Sequence, residues 1–237
     1  MNSQEVRSRL YDRYVSTHVR PTGSEATPWF PVLDYVPASG DSALLDLGCG
    51  SGGLLEAASD LGISNLTGVD VSQEQVDLAH EAGRTYVKQG DVFDILASKQ
   101  WKSNCVTTVD LLEHFSRQEV LDLAEAIANF LPPHGVWIGQ VPNAVSPFFG
   151  NYAYGDLTHE TVFTARSIHQ LMGMAGLDVI HVGPVGVAPG GGLSHRARRI
   201  IFSAAQLVMK SVLAAETGVR DHIVTQNLVF VAQKPSR

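Results

Sequence analysis

From residue 43 onward, short apolar runs alternate with segments whose apolar residues recur every three to four positions. The runs predict seven strands, at 43–47, 68–71, 86–89, 106–110, 136–141, 178–182 and 228–232. Helices are predicted between them, over 72–82, 116–131, 165–174 and 194–215. Repeated strand–helix units predict an α/β fold, with a mostly parallel sheet and helices on both of its faces.

Residues at the predicted helix boundaries support these assignments. Ser72 with Gln75, and Ser116 with Glu119, have the spacing of capping boxes, in which the first and fourth residues satisfy backbone N–H groups at a helix start. Gly83 ends the first of these helices, and the pair Pro132 and Pro133 ends the second.

The N-terminal 40 residues differ from the rest of the chain. Residues 4–19 have the four-residue apolar spacing of an amphipathic helix, and four prolines follow between residues 21 and 37. We interpret 1–40 as an arm that caps a ligand pocket and brings Tyr14 and His18 to a substrate. An arm that only covers the sheet is the alternative. Residues 41–237 then form one domain.

A glycine-rich stretch follows the first strand. Gly48, Gly50, Gly52 and Gly53 lie between an apolar run that contains Asp46 and a helical pattern. Glycines let the backbone turn sharply and approach a ligand closely, and the helix that follows offers free N–H groups. The stretch therefore predicts a loop that binds a nucleotide-like ligand.

Four acids occupy one relative position in the pattern: Asp46, Asp70, Asp91 and Asp110 each fall at the end of a predicted strand. In parallel sheets the ligand binds at the carboxyl ends of the strands. The glycine spacing also fits a dinucleotide fingerprint, with Asp70 as its ribose acid. However, Asp46 and Asp91 favour a positively charged nucleoside such as S-adenosylmethionine.

The motifs together resemble class I S-adenosylmethionine-dependent methyltransferases. The resemblance rests on Asp46-Leu-Gly-Cys-Gly-Ser-Gly, Gly68-Val-Asp-Val-Ser, Gly90-Asp-Val, Val109-Asp-Leu-Leu-Glu-His and the turn 131–135, and it covers roughly residues 40–180. It implies a Rossmann-like seven-stranded sheet with an antiparallel last strand. It also implies S-adenosylmethionine as cofactor and S-adenosylhomocysteine as product.

The resemblance also implies roles for individual residues. The glycines would form the floor under the cofactor, Asp46 would meet its amino group, and Asp70 would accept hydrogen bonds from both ribose hydroxyls. Asp91 would reach the adenine amine. The full set of cofactor-binding candidates is Asp46, Gly48, Cys49, Gly50, Gly52, Asp70, Val71, Asp91, Val92, Asp110 and Leu111.

The irregular segment 142–164 is the predicted substrate loop, because a loop of this length in a compact domain is usually functional. Asn143, Tyr152 and Tyr154 are its candidate substrate contacts. Its sequence resembles a bacterial methyltransferase subgroup whose members are often tied to modification of cell-surface polysaccharides or sugar nucleotides.

An alcohol acceptor must lose a proton, and histidine titrates in the right range. His159 is the first candidate for this general base, with Asp156 or Glu160 orienting it. His114 is the second candidate. A structural histidine held by hydrogen bonds is the alternative for both. No compact metal-ligand spacing is present, so no metal site is predicted.

Composition and charge limit the partners. The net charge of −7 argues against a nucleic-acid binder. The two cysteines, Cys49 and Cys105, make neither a disulfide framework nor a zinc site. The N-terminus has no apolar signal region, and no stretch is expected to reach transmembrane length, so a cytoplasmic location is expected.

An insertion at about 190–220 precedes the last strand and contains the helix 194–215, which opens with His195 and three arginines. It could form a substrate wall, a dimer interface or a basic amphipathic helix in weak contact with a membrane surface. A helix packed on the domain, or a dimer interface, is the favoured interpretation. A monomer or a homodimer is expected.

The sequence thus predicts a methyltransferase that acts on a small molecule, with O-methylation of a sugar, sugar nucleotide or polysaccharide-linked acceptor as the leading hypothesis. Alternatives are an N- or C-methyltransferase of a quinone or natural-product precursor, a NAD-dependent oxidoreductase, and a non-catalytic protein of this fold that binds a partner.

Overall fold

The computed structural model describes residues 30–37, 42–98, 100–186 and 192–236. A seven-stranded sheet runs through it in the order β3-β2-β1-β4-β5-β7-β6. The strands are β1 Ala43–Leu47, β2 Asn65–Asp70, β3 Val87–Gln89, β4 Cys105–Val109, β5 Val136–Pro142, β6 Asp178–Pro184 and β7 Asn227–Gln233. All pairings are parallel except those of β7, which is antiparallel to both β5 and β6. The predicted antiparallel last strand is confirmed.

Eight α-helices are described. They are α1 Phe30–Leu33, α2 Gly53–Asp60, α3 Gln73–Glu81, α4 Val92–Ser98, α5 Arg117–Phe130, α6 Phe149–Ala153, α7 Ala165–Met174 and α8 Leu193–Thr217, and a 3-10 turn spans Leu112–His114. Each strand and helix predicted between residues 43 and 232 is present with its bounds shifted by at most three residues.

The sheet divides the core into two clusters, because successive side chains of a strand point to opposite faces. Leu45 and Trp137 belong to the cluster beneath α4, α5 and α7. Their neighbours Leu44 and Ile138 belong to the other cluster, beneath α1, α2 and α3. Strands buried on both faces need continuous apolar runs, and this is the pattern that the sequence shows.

The helix caps confirm one prediction and correct another. Ser116 and Glu119 form the predicted capping box at the start of α5. Ser72 is the N-cap of α3, but its side chain makes no capping bond, so the predicted box with Gln75 is wrong. The main-chain N–H of Ser72 donates instead to Asp70, which takes over part of the local hydrogen bonding.

Most of the predicted arm 1–40, including Tyr14 and His18, lies outside the described residues. Its described end belongs to the domain, since Val32 and Val36 are buried in the core cluster beneath α1, α2 and α3.

Helix α8 corrects two expectations. It has 25 residues, includes an 18-residue window of mean hydropathy 1.3, and so is long and apolar enough to cross a membrane by length and composition. The expectation that no stretch reaches this length was wrong. Packing on the domain was also the wrong interpretation, because no residue of α8 is buried.

Candidate active site

The glycine loop joins β1 to α2 through backbone conformations that side chains disfavour. Gly48, Gly50 and Gly52 have φ angles of 67°, 53° and 81°. A Cβ on Gly48 would lie 2.6 Å from Cδ1 of Leu111, and one on Gly52 would lie 2.9 Å from Cγ2 of Val87. Both the strain and the close contacts require glycine at these positions. The loop thus turns tightly between the end of β1 and the start of α2.

Asp70 fixes the shape of this loop from the end of β2. Its Oδ2 accepts a hydrogen bond of 2.7 Å from the N–H of Gly50, and its Oδ1 accepts one of 2.9 Å from the N–H of Ser72. Burial raises the pKa of the carboxyl group, and these two bonds oppose that rise. Each carboxylate oxygen has a second lone pair, so Asp70 can also accept from ribose hydroxyls.

Asp46 is a buried acid beneath the same loop. It is 3% exposed, and its Oδ1 accepts a 2.7 Å hydrogen bond from Oγ1 of Thr107. Burial raises its pKa to about 7, and the charge of Asp70 adds to the rise while the Thr107 bond opposes it. A cation at this position would stabilise the ionised form. The site therefore suits a ligand with a positively charged group.

Cys49 is buried, and its Sγ would lie 2.7 Å from a Cβ added to Gly68 on β2. Burial raises the pKa of its thiol, so Cys49 stays protonated and packs rather than reacts.

The residues predicted to bind the adenine follow the ends of β2 and β3. Asp91 is exposed, and its Oδ1 accepts a 2.8 Å bond from the N–H of Phe93. Val92 is 7% exposed and belongs to the core, whereas Val71 is 47% exposed beside the end of β2. The structure leaves the adenine-binding roles of Asp91, Val92 and Val71 as predictions.

Asp110 lies directly after β4 with a φ of 50°, which is rare for a residue with a side chain. Its N–H donates to the carbonyl of Gln140, and its Oδ1 accepts from Nε2 of Gln140 at 3.0 Å. Burial raises the pKa of Asp110 to about 6, while the Gln140 bond opposes the rise. Its neighbour Leu111 packs against Gly48. The residues that follow β4 therefore contact the glycine loop.

Glu113 is a member of this site that sequence reasoning did not select. It is 1% exposed, and neither carboxyl oxygen has a hydrogen-bond partner in the described part of the chain. Burial first, and then the charges of Asp110 and Asp156, raise its pKa well above the usual range. Burial therefore favours the protonated form of Glu113. The sequence feature that could have indicated Glu113 was its position three residues after Asp110, within the motif Val109-Asp-Leu-Leu-Glu-His.

His114 lies in a chain of hydrogen bonds that begins at Asp156. Oγ1 of Thr158 donates to Oδ1 of Asp156 at 2.6 Å, and Nδ1 of His114 lies 2.7 Å from the same Oγ1. Because the hydroxyl proton of Thr158 is donated to Asp156, the hydroxyl oxygen accepts from His114, and Nδ1 of His114 is the donor. Burial, and then the nearby His159, lower the pKa of His114 to about 4. His114 is thus neutral at physiological pH.

His159 packs edge-on against His114, with ring centroids 4.7 Å apart. Its Nδ1 lies 2.9 Å from the main-chain oxygen of Tyr152. A carbonyl oxygen only accepts, so Nδ1 carries the proton and Nε2 has a free lone pair. Within the described residues Nε2 of His159 has no hydrogen-bond partner. This nitrogen can accept a proton from a substrate.

Nδ1 of His159 is oriented by the main-chain carbonyl of Tyr152, a contact that the sequence did not predict. Asp156 accepts from the N–H and the hydroxyl of Thr158, and through Thr158 it supports His114. Glu160 has an exposed side chain, and its N–H donates to the carbonyl of Glu113 at 2.7 Å. The orienting roles of Asp156 and Glu160 stay predictions.

The predicted substrate residues separate into different environments. Asn143 is 1% exposed, and its Nδ2 donates to the carbonyls of Ile223 and Thr225 at 2.8 and 2.7 Å. It is a structural residue rather than an open substrate contact. Tyr154 is 84% exposed. Tyr152 is half-buried, and burial raises its pKa, as do the nearby carboxyl groups of Asp110 and Glu113.

The described residues contain no group of three or more His, Cys, Asp or Glu side chains placed to hold a metal ion.

The chain belongs to a known family, since residues 23–182 match the family described as Methyltransferase domain. The sheet order, with its antiparallel seventh strand, is the Rossmann-like fold of class I S-adenosylmethionine-dependent methyltransferases. The prediction of family, fold and cofactor is confirmed at this level.

Individual relatives match only part of the chain. Ribosomal protein L11 methyltransferase of Shewanella baltica is 37% identical over 81 residues, which are 34% of this chain and 25% of that protein. Ubiquinone biosynthesis O-methyltransferase of Xanthomonas oryzae pv. oryzae is 34% identical over 111 residues, which are 44% of this chain and 45% of that protein. The chain thus spans less than half the length of these relatives.

Among solved structures, a SAM-dependent methyltransferase from Archaeoglobus fulgidus aligns over 98% of this chain and 95% of its own, with a TM-score of 0.62 and 19% identity. This structural similarity shows that the two proteins share a fold.

Proposed function

We propose that the protein transfers a methyl group from S-adenosylmethionine to a hydroxyl group of a small molecule. The geometry of His159 carries the proposal for a hydroxyl acceptor. Its Nδ1 is held by the carbonyl of Tyr152, which leaves the lone pair of Nε2 available. The O-methyltransferase among the relatives supports the same reaction type.

The loop residues fit the cofactor. Gly48 and Gly52 hold the loop in positive-φ backbone conformations, Asp70 offers carboxylate oxygens to the ribose, and the buried Asp46 gains from a cation. When bound, S-adenosylmethionine would supply a methyl carbon activated by a positively charged sulfur, which leaves as the thioether of S-adenosylhomocysteine.

The protein's own task is then to hold the acceptor and remove its proton. The acceptor oxygen loses that proton to Nε2 of His159 as it becomes an ether oxygen, and the imidazolium later releases it to water. The neutral His114 ring, 4.7 Å away, adds no positive charge that would oppose protonation of His159. Alignment of the two reactants supplies the rest of the acceleration.

A sugar, sugar nucleotide or polysaccharide-linked acceptor remains the leading proposal for the substrate class, and a cytoplasmic location is proposed with it. The support is the resemblance of segment 142–164, whose polar residues follow β5 at the carboxyl edge of the sheet. A quinone-type phenol is the second candidate, favoured by the ubiquinone biosynthesis relative.

Radiolabelled methyl transfer tests the reaction and the acceptor together. Purified protein would be offered sugar nucleotides, free sugars and phenols, with and without magnesium. The substitution His159→Ala should lower kcat by about 100-fold or more with unchanged S-adenosylmethionine binding, because only proton transfer is removed. His169→Ala, an exposed histidine on α7, is the matched control and should retain the rate.

Other results would redirect the assignment. An unchanged rate in His159→Ala would show that His159 is not the general base. Methylation at nitrogen or carbon would support the N- or C-methyltransferase alternative. Binding of NAD in place of S-adenosylmethionine, measured by calorimetry, would overturn the methyltransferase proposal.

A further inference from the structure

We infer that α8 is an interfacial helix that lies flat on an anionic membrane surface and holds the domain against it. The surface, charge and connections of this helix support this role, whatever the identity of the acceptor. Helix α8 exposes an apolar face to solvent beside a cluster of cations.

Six aliphatic side chains of α8 are 62–84% exposed: Leu193, Ile200, Ile201, Leu207, Val208 and Val212. At 3.6 residues per turn they fall within an arc of about 140°. The less exposed residues Phe202, Gln206 and Leu213 lie on the opposite side. The helix thus turns its apolar face outward, which is the reverse of a helix that packs on its own domain.

Basic residues border this face. Arg196 and Arg198 fall about 20° and 40° beyond its two edges, whereas Arg199 lies about 80° beyond the nearer edge. None of these three arginines forms an ion pair with a residue in the described ranges. Long cationic side chains beside an apolar strip can reach headgroup phosphates while the strip enters the acyl boundary.

The charge balance favours an anionic surface over a second copy of the chain. Helix α8 contains four Arg and Lys but only Glu216 as an acid, in a chain whose net charge is −7. A parallel pair of α8 helices would bring six arginines together, and an antiparallel pair would set each cluster of three arginines against a single acid, Glu216. An anionic bilayer complements all the cations at once.

The connections of α8 favour a helix that lies on the membrane over one that spans it. The insertion leaves and rejoins the sheet at one place, since the N–H of Val185 donates to the carbonyl of Asn227 at 3.2 Å. Asn143 pins Ile223 and Thr225, so only residues 218–222 link α8 to the pinned segment. Five residues reach at most about 18 Å, which is less than the roughly 30 Å hydrocarbon core.

Both ends of α8 are therefore tethered to the carboxyl edge of the sheet, the edge that carries the glycine loop and His159. A crossing would force irregular backbone through lipid, where its polar groups have no partners. A helix parallel to the surface avoids this cost and turns the active-site edge toward the bilayer.

Vesicle co-sedimentation of the full chain tests the inference. The probes are vesicles of phosphatidylcholine with 40% phosphatidylglycerol and vesicles of phosphatidylcholine alone. We expect binding to the anionic vesicles that weakens as salt is raised, and little binding to the neutral ones. The triple substitution Arg196→Gln, Arg198→Gln and Arg199→Gln should weaken partitioning by about 100-fold.

The double substitution Ile200→Asp and Leu207→Asp should also abolish binding, because it charges the centre of the apolar face. Matched controls lie away from the insertion. Lys102→Gln, Arg117→Gln and Arg166→Gln remove the same charge from exposed positions, and Leu61→Asp with Met174→Asp alters side chains that are 66% and 58% exposed. All controls should bind vesicles like the unsubstituted protein.

Three outcomes would overturn the inference: no binding to anionic vesicles, equal loss in the controls, or a stable dimer by light scattering that the Ile200→Asp and Leu207→Asp pair dissolves. Calorimetry with S-adenosylmethionine on every variant shows whether the domain is folded. Failure of vesicle binding with intact cofactor binding would leave the proposed methyl transfer untouched.

Discussion

The carboxylate of Asp70 accepts a 2.7 Å hydrogen bond from the main-chain N–H of Gly50, across twenty positions of sequence. A residue predicted to bind the ribose therefore also holds the glycine loop in place. The ligand-free loop is held in shape by the same group that would meet the ligand, so pre-organisation and binding are linked at one side chain.

Asp70→Ala should weaken S-adenosylmethionine binding by at least 100-fold, since it removes hydrogen bonds to a charged acceptor and releases the loop. Calorimetry measures the affinity, and chemical unfolding measures the stability. Asp60→Ala, which removes the same charge at an exposed position, is the control and should bind normally. Equal affinities in the two variants would contradict the assignment of Asp70.

Gly48→Ala should lower the free energy of unfolding by about 1–3 kcal/mol, because the position has a positive φ and the new methyl group would meet Leu111 at 2.6 Å. Gly173→Ala is the matched control. Gly173 lies within helix α7 with no atom within 4 Å of an added Cβ, so this change should stabilise by about 0.5–1 kcal/mol.

A second variant separates the two costs at Gly48. Adding Leu111→Ala to Gly48→Ala removes the steric clash but not the backbone strain. Only partial recovery of the free energy of unfolding is expected. Full recovery would show that strain at this loop position is negligible.

Asp46 should make the ligand-free protein less stable as the pH rises. The pKa of Asp46 is about 7 in the folded state and 3.8 in the unfolded state. Between pH 3.8 and pH 7 the folded state therefore keeps a proton that the unfolded state has already lost. Stability falls across that range, and Asp46→Asn should be more stable at pH 8 by about 2–4 kcal/mol. Thermal unfolding at pH 5 and pH 8 measures this difference.

The same acid predicts an opposite trend for binding. The affinity for S-adenosylmethionine should rise between pH 6 and pH 8 as Asp46 ionises, and Asp46→Asn should remove this dependence. An affinity that is independent of pH in the unsubstituted protein would place the cationic group elsewhere.

His114 should make the protein less stable as the pH falls. Its folded pKa of about 4 is below the ordinary value of 6.5, so the unfolded state binds a proton first as the pH falls. Stability should drop by about 1–2 kcal/mol between pH 7.5 and pH 5 on account of this residue. His114→Asn should show a smaller drop, whereas His169→Asn, at an exposed site, should lose stability like the unsubstituted protein.

The sequence predicted the elements well because strands buried on both faces and amphipathic helices each have a clear period. It was less reliable where one polar side chain had several possible partners. Ser72 and Gln75 were predicted to form a capping box at α3, but Asp70 accepts the hydrogen bond from the N–H of Ser72. Asp156 was predicted to orient His159, and the structure shows a bond to Thr158, two residues along the same loop, which supports His114.

The sequence also did not indicate which polar residues are buried. Glu113 and Asn143 are both 1% exposed, yet their residue types are usually at the surface. Only the packing of the 112–114 turn and of the 223–225 segment places them inside.

The sequence by itself determined the strand and helix pattern, the positive-φ glycines, the acids at the strand ends and, through these, the family. Such features are local, because backbone conformation and periodicity depend on residues near in sequence. The tertiary structure decided the pairing of His114 with Thr158, the free lone pair of His159 and the outward apolar face of α8. These depend on contacts between distant segments, which only the folded chain brings together.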